Sequence, residues 1–224
     1  SLTQLQFEKG TIHAGNIDMV LHDIRYIGQN GQFAGSSINV NNKEKNMAIT
    51  LKEVSVERMQ VDEISGNVYA EGVTWQKADV KLNAVGGNND GSGSLIELKN
   101  VRGSNTSVKG IFGGKSVSEL NSISFTELKK NKEGKLKLDG LDINGQQLKV
   151  KDNNLTFSVA SYDITDNKLS SFREIIYKAD NRKMKVDIFM PSLTVTPHMQ
   201  PLLNGDIALD AINMIKPVIN LRLA

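Results

Sequence analysis

The residues best equipped for chemistry are a glycine-rich stretch, three histidines, a few serines and several carboxylate pairs. Gly110-Ile-Phe-Gly-Gly-Lys115-Ser116 approaches a phosphate-cradling loop, which needs Gly, four residues, then Gly-Lys-Ser. The first glycine of that spacing would stand at position 109, which is Lys109, so the loop is one residue short. Val117 to Phe125 does not write an amphipathic helix, so no helix N-terminus follows to hold phosphate. The stretch reads as a glycine turn between strands.

His13, His22 and His198 are not in ligand spacing, and zinc wants three or four ligands where no cysteine exists. On one uninterrupted strand, His13 and His22 would point to opposite faces. No Gly-x-Ser-x-Gly elbow is present, and Gly91-Ser92-Gly93-Ser94 lies in a polar linker. Asp62 with Glu63, and Glu53 with Glu57, read as solvated strand faces rather than a framed acid pair. Asn88-Asn89-Asp90 offers oxygens but lacks the alternating acids and closing Glu of a calcium loop. Trp75, the single tryptophan, sits in an alternating context and reads as a core plug. These residues predict a chain that is not an enzyme, with no catalytic residue, metal site or cofactor.

What must position such residues follows from the bulk of the sequence. The 224 residues fit one large all-β domain or two smaller ones. At 39% hydrophobic and 5% aromatic, the core must be mostly Leu, Ile, Val and Met. A net charge of +2 with no like-charge block gives no phosphate-tracking surface, so no nucleic-acid partner is expected. No run of about 18 apolar residues is present for a membrane-spanning helix. The chain opens at Ser1 in strand-like writing and ends within the alternating segment Val218 to Leu223. It is therefore expected to be a piece, residues 1–224, of a longer protein, with any targeting or anchoring segment outside it.

Period-2 alternation dominates: Leu155, Phe157 and Val159 alternate with polar residues, as do Ile219, Leu221 and Leu223. That predicts antiparallel strands with one face on a core and the other in water. A longer unit, apolar-x-apolar-x-x-apolar-x-apolar, recurs. Its copies are Met19, Leu21, Ile24, Tyr26, then Ile49, Leu51, Val54, Val56, then Leu136, Leu138, Leu141, Ile143. Further copies are Ile188, Met190, Leu193, Val195 and Ile207, Leu209, Ile212, Met214, with Ile96, Leu98, Val101 truncated. The two-residue gap would turn the second pair to the opposite face, so each gap predicts a bulge or bend that restores the face.

Asn30-Gly31, Asp139-Gly140, Asn144-Gly145 and Asn204-Gly205 read as turn or bulge dipeptides. Asn41 to Asn46 and Asn131 to Gly134 read as turns, and Gly86 to Ser94 as a long flexible loop or seam. Two short helices are expected: Ser170 to Lys178, where Phe172, Ile175 and Ile176 fall near helical spacing, and Pro197 to Asn204. The fold class is thus all-β: repeated short antiparallel strands forming an elongated curved sheet, groove or β-solenoid-like sandwich, with at most one or two short helices.

The stretch from Asn204 to Ile212, running into Ile215-Lys216-Pro217-Val218-Ile219-Asn220-Leu221, resembles the AsmA and TamB group of bacterial envelope proteins. Leu138 to Val150 has a similar layout without the proline, and Gly66 to Trp75 is similar to that family's strand-turn-strand writing. The resemblance implies a long, curved β-sheet with an apolar inner groove, in a periplasmic or envelope protein anchored in the inner membrane. It implies a role in phospholipid transport or outer-membrane maintenance, with phospholipid acyl chains and other envelope proteins as partners. The chain departs from the family in carrying no N-terminal membrane helix. Candidate groove residues are Leu136, Leu138, Leu155, Phe157, Ile207, Leu209, Ile219 and Leu221. The alternative is a structural or adhesive cell-surface β-domain binding protein or glycan partners, in which the same residues fill a closed core.

Overall fold

A computed structural model describes residues 4–14, 16–44, 46–62, 64–82, 95–110, 115–180, 184–204 and 206–223. Among the described residues the fold is all-β: 77% are strand, in one large mixed sheet without a helix of 7 or more residues. In chain order the strands are β1 (Gln4–Ala14), β2 (Ile17–Ile27), β3 (Gln32–Asn42), β4 (Met47–Val56), β5 (Arg58–Val61), β6 (Val68–Glu71), β7 (Thr74–Trp75) and β8 (Lys77–Lys81). They continue as β9 (Ile96–Lys109), β10 (Ser116–Lys130), β11 (Leu136–Asp139), β12 (Asp142–Asp152), β13 (Leu155–Thr165), β14 (Ser170–Asp180) and β15 (Met184–Pro197). A short helix α1 (Met199–Leu203) then precedes β16 (Leu209–Ile215) and β17 (Val218–Leu223).

Several of these strands are collinear. β4 and β5 keep one register against β6, β7 and β8, from Ala48 opposite Lys81 to Val61 opposite Val68. β11 with β12 likewise lie along β10, and β16 with β17 along β15. The strands therefore fall on twelve long lines, each hydrogen-bonded mainly to the lines before and after it. The expected short strands are segments of these longer ones. Pairing is antiparallel except at one seam, where β6, β7 and β8 run parallel to β9. A parallel pair needs a crossover connection rather than a hairpin. Residues 83–94, with the expected Gly86 to Ser94 seam and the Asn88 to Asp90 oxygens, lie outside the described residues, as do 111–114 of the glycine stretch and Gly205.

The recurring two-residue gaps are bends. At Asp23, Glu53, Asn100, Gly140 and Ala211, the second gap residue has φ of +52°, +51°, +51°, +68° and +51°. The gap at Pro191-Ser192 has no such residue; Glu174 on the neighbouring β14 supplies it at φ +52°. A left-handed residue costs a non-glycine side chain about 1–2 kcal/mol, so the sheet bends at a cost carried by specific positions. Several bends align across strands. Ladder pairing skips Ser36 and Glu53 between β3 and β4, then Gln147, Ala160, Glu174 and Pro191 from β12 to β15, without changing register on either side. Asp23, Asn105 (φ +45°) and Lys216 (φ +43°) extend this crease to both halves of the sheet.

The crease explains why Ser170 to Lys178 is a strand rather than the expected helix. The bend at Glu174 puts Phe172 and Ile175 on one face at a spacing of three, which imitates helical periodicity. Asn144-Gly145 is not a turn but lies within β12, opposite the register shift between Leu120 and Ser122 of β10, which is the bulge alternative of that reading, and His13 and His22 belong to two strands, β1 and β2. The second expected helix is present as α1, and the turns at Asn30-Gly31 and Asn131 to Gly134 stand where expected. α1 covers a notch beside β11. Gln200 accepts from Leu138 N at 3.0 Å and donates to Leu136 O at 3.0 Å, so its amide stands in for a missing strand partner.

Candidate functional site

One row of side chains crosses all twelve lines. It runs Gly10, Leu21, Ile38, Leu51, Ala78 and Thr106, each registered against the next. It continues through Leu120, Gly145, Tyr162, Phe172, Leu193 and Met214. Cross-strand neighbours share a face, so this row is the floor of an apolar face running the width of the sheet. Parallel rows widen it: Ile12, Met19, Val40, Ile49, Val80 and Val108 on one side, and Met59, Ala70, Leu98, Leu128 and Leu138 on the other.

The bends keep both halves of each strand on this face. Val159 and Tyr162, on either side of the skipped Ala160, belong to one buried cluster with Ile175. Leu120, Ile143, Leu148, Phe157, Ile164, Phe172, Met190 and Leu193 pack against it. Away from that cluster, the face is sealed in part, with Ile24, Val54, Ala78, Val101, Thr106 and Val108 buried. Leu21, Ile38 and Leu51 keep intermediate exposure there, as does Leu193 beside the cluster. The total accessible surface is 14407 Å², against roughly 10,000 Å² expected of a compact monomer of this mass.

Three aromatic rings lie over glycines on this face, Phe7 over Gly10 within its own strand and two more across strands. Tyr162 covers Gly145, where a Cβ would come within 2.5 Å of its ring. The Tyr162 hydroxyl and Ser118 Oγ are 2.6 Å apart in a buried hydrogen bond, and burial pushes the phenol up while this bond opposes the shift. Trp75 covers Gly103, its register neighbour across the parallel seam, and donates Nε1–H to Thr106 Oγ1 at 2.9 Å. The glycines are there because a ring occupies the space of their side chain.

The sequence-predicted groove residues divide. Leu138 is buried, and Leu136 is 42% exposed at the start of its strand. Leu155 and Phe157 are half-buried, and Phe157 joins the row Val150, Phe157, Tyr177, Ile188, Ile219. Ile219 and Leu221 continue the apolar face onto β17 but are exposed there, as is Leu209 on β16. Ile207 is in no strand: the strand starts at Leu209, and Ile207 is 82% exposed in the preceding link. The fold brings Leu155, Phe157, Ile219 and Leu221 onto neighbouring rows and leaves Ile207 apart. Sequence reasoning did not single out Leu21, Leu51 and Leu193 as lining, although the recurring unit contains them. It missed Phe172 by reading its spacing as helical.

Ionic side chains lie outside this face. Glu71 is held below the usual carboxylate range first by the Tyr69 hydroxyl and then by Arg58, and Glu97 first by its bond to Lys99. His13 meets Asp18, and His198 sits between Asn167 and Asp210. Among the described residues, no three His, Cys, Asp or Glu converge to hold a metal, and no helix is long and apolar enough to cross a membrane.

No protein-family model matches the chain, and neither a curated protein nor a solved structure is significantly similar to it.

Proposed function

We propose that the chain is a non-enzymatic envelope domain of the AsmA-like kind whose apolar face shelters phospholipid acyl chains. The observation that carries this reading is the twelve-line floor row, apolar for most of its length, buried at Ala78, Thr106, Gly145 and Tyr162, half-buried along most of the rest, and continued by exposed Met214, Ile219 and Leu221 at its end. Each acyl methylene removed from water contributes about 0.8 kcal/mol, so ten of them contribute roughly 8 kcal/mol without any specific polar contact. A periplasmic setting and a part in phospholipid transport belong to the same proposal and rest on the resemblance alone. The exposed edge of β16 and β17 favours the second reading, a structural or adhesive domain that binds a protein along a strand.

The test is native mass spectrometry of the purified chain with lipid extraction, followed by uptake of added phospholipid after delipidation. Bound phospholipid at defined stoichiometry is expected. Leu209→Asp with Leu221→Asp, both at exposed positions, is expected to reduce uptake at unchanged circular dichroism. A folded protein that neither carries nor takes up lipid overturns the proposal.

A further inference from the structure

The line of β16 and β17 stands at one end of the sheet. Among the described residues it pairs with β15 alone, so its other side presents backbone without a strand partner. Every residue of both strands is exposed. Their apolar side chains are contiguous. Leu209, Ile212, Met214, Ile219, Leu221 and Leu223 continue the apolar face, and Ile215 and Val218 stand on the opposite one. At the other end of the sheet, β1 carries Glu8 and Lys9 in mid-strand, charges of the kind that guard an open edge.

The β16–β17 line is complementary to itself. Lay it antiparallel against a second copy, about a two-fold axis normal to the sheet between Lys216 and Pro217. On the apolar face, Met214 then meets the second copy's Ile219, and Ile212 meets its Leu221. Past Ala211, Leu209 meets its Leu223. On the opposite face, Ile215 meets Val218, Asn213 meets Asn220, and Asp210 meets Arg222. Apolar faces apolar, amide faces amide and acid faces base, and a slip of one residue would lose all three matches. Ala211 is already left out of the ladder with β15, where pairing shifts between Thr194 and Thr196. Lys216 and Pro217 fall on the axis, in a gap that β15 also leaves unpaired, so the proline removes no ladder bond. Asp210 Oδ2 accepts from His198 Nε2 at 2.8 Å, which leaves Oδ1 for an arginine.

We infer that β16 and β17 form a homodimer edge, along which a second copy of this chain pairs antiparallel and extends the sheet. Direction selects this arrangement over a head-to-tail one. Twelve lines with one parallel step leave β1 and β17 running the same way. A copy added head to tail would therefore pair parallel, which is the less stable ladder, and would set Glu8 and Lys9 against an apolar strand. The two-fold keeps both apolar faces on one side of the joined sheet. This inference goes beyond the acyl-chain reading and does not depend on it.

The test is sedimentation velocity of the full chain over a concentration series. A mass near twice 24.6 kDa is expected. Arg222→Asp sets like charges opposite each other at two symmetric places, so it should weaken the dimer about tenfold or more. Asp210→Arg should do the same. Mixed together, the two variants should recover a dimer, because both facing pairs of the heterodimer are again opposite in sign. Register has its own readout, since the chain contains no cysteine. Directly opposed residues of antiparallel strands lie about 4.5–5.5 Å apart at Cα, within disulfide reach. Under mild oxidation, Asn213→Cys mixed with Asn220→Cys should give a covalent dimer of the two variants, and neither should give one alone. All four positions are exposed, so circular dichroism should not change. A chain that stays monomeric throughout the series overturns the inference. So does a dimer indifferent to Arg222→Asp, or one cross-linked by Asn213→Cys alone. Lipid uptake by the Arg222→Asp chain reports on the apolar face separately, and is expected to be unchanged.

Discussion

Gly145→Ala is expected to destabilise the protein by about 2–3 kcal/mol, through Tyr162 rather than through the backbone. Gly145 is buried in β12 without a positive φ, so its backbone accepts alanine. Its new Cβ would come within 2.5 Å of Tyr162 Cε2, where carbon atoms settle at roughly 3.5 Å. Cζ lies nearer still, so the ring must move by more than about 1 Å, and such overpacking costs about 1–3 kcal/mol. That movement also pulls the hydroxyl from Ser118 Oγ, now 2.6 Å away and buried, adding about 1 kcal/mol. Replacing a strand glycine returns about 0.5–1 kcal/mol. The assay is urea unfolding followed by circular dichroism, in a double-mutant cycle with Tyr162→Ala. With the ring absent, Gly145→Ala should be neutral or slightly stabilising, giving a coupling of about 3 kcal/mol. The reasoning is refuted if Gly145→Ala costs the same with and without the tyrosine ring.

Gly103→Ala should displace Trp75 from Thr106; a loss of about 2–3 kcal/mol and a shifted Trp75 emission are expected, and an unchanged spectrum would count against it. Gln200→Ala removes the side-chain partner of Leu138 N and Leu136 O, so about 1–2 kcal/mol of stability should go, and hydrogen exchange at the Leu138 amide should accelerate. At Glu174, with φ +52°, glycine should be neutral to about 1 kcal/mol stabilising and valine about 1–2 kcal/mol destabilising; the reverse order in thermal unfolding would remove the bend. The Tyr162 phenol is raised by burial. Its contribution is present below the unfolded tyrosine pKa of about 10 and is lost as pH rises through the folded value. Alkaline unfolding should therefore be shallower for Tyr162→Phe than for wild type.

The all-β class and the bends were legible in the sequence, because both are local. Alternation reports which face of a strand is apolar, and a two-residue gap in it can keep one face only if the backbone bends there. Asp23, Glu53, Asn100, Gly140 and Ala211 show that bend. Phe172 and Ile175 show the limit of the method, since a bent strand and a helix write the same spacing. Gly145 shows another: a glycine after an asparagine marks a turn or bulge, and a pairing shift stands beside it, but the ring of Tyr162 over it comes from the next strand. Tertiary structure alone decided the parallel seam, the collinearity of short strands and the floor row from Gly10 to Met214. It also decided that Leu138 is buried while Leu221 is exposed. Those outcomes depend on which strands become neighbours, and the two-residue period that fixes a side chain's face is the same for every possible neighbour.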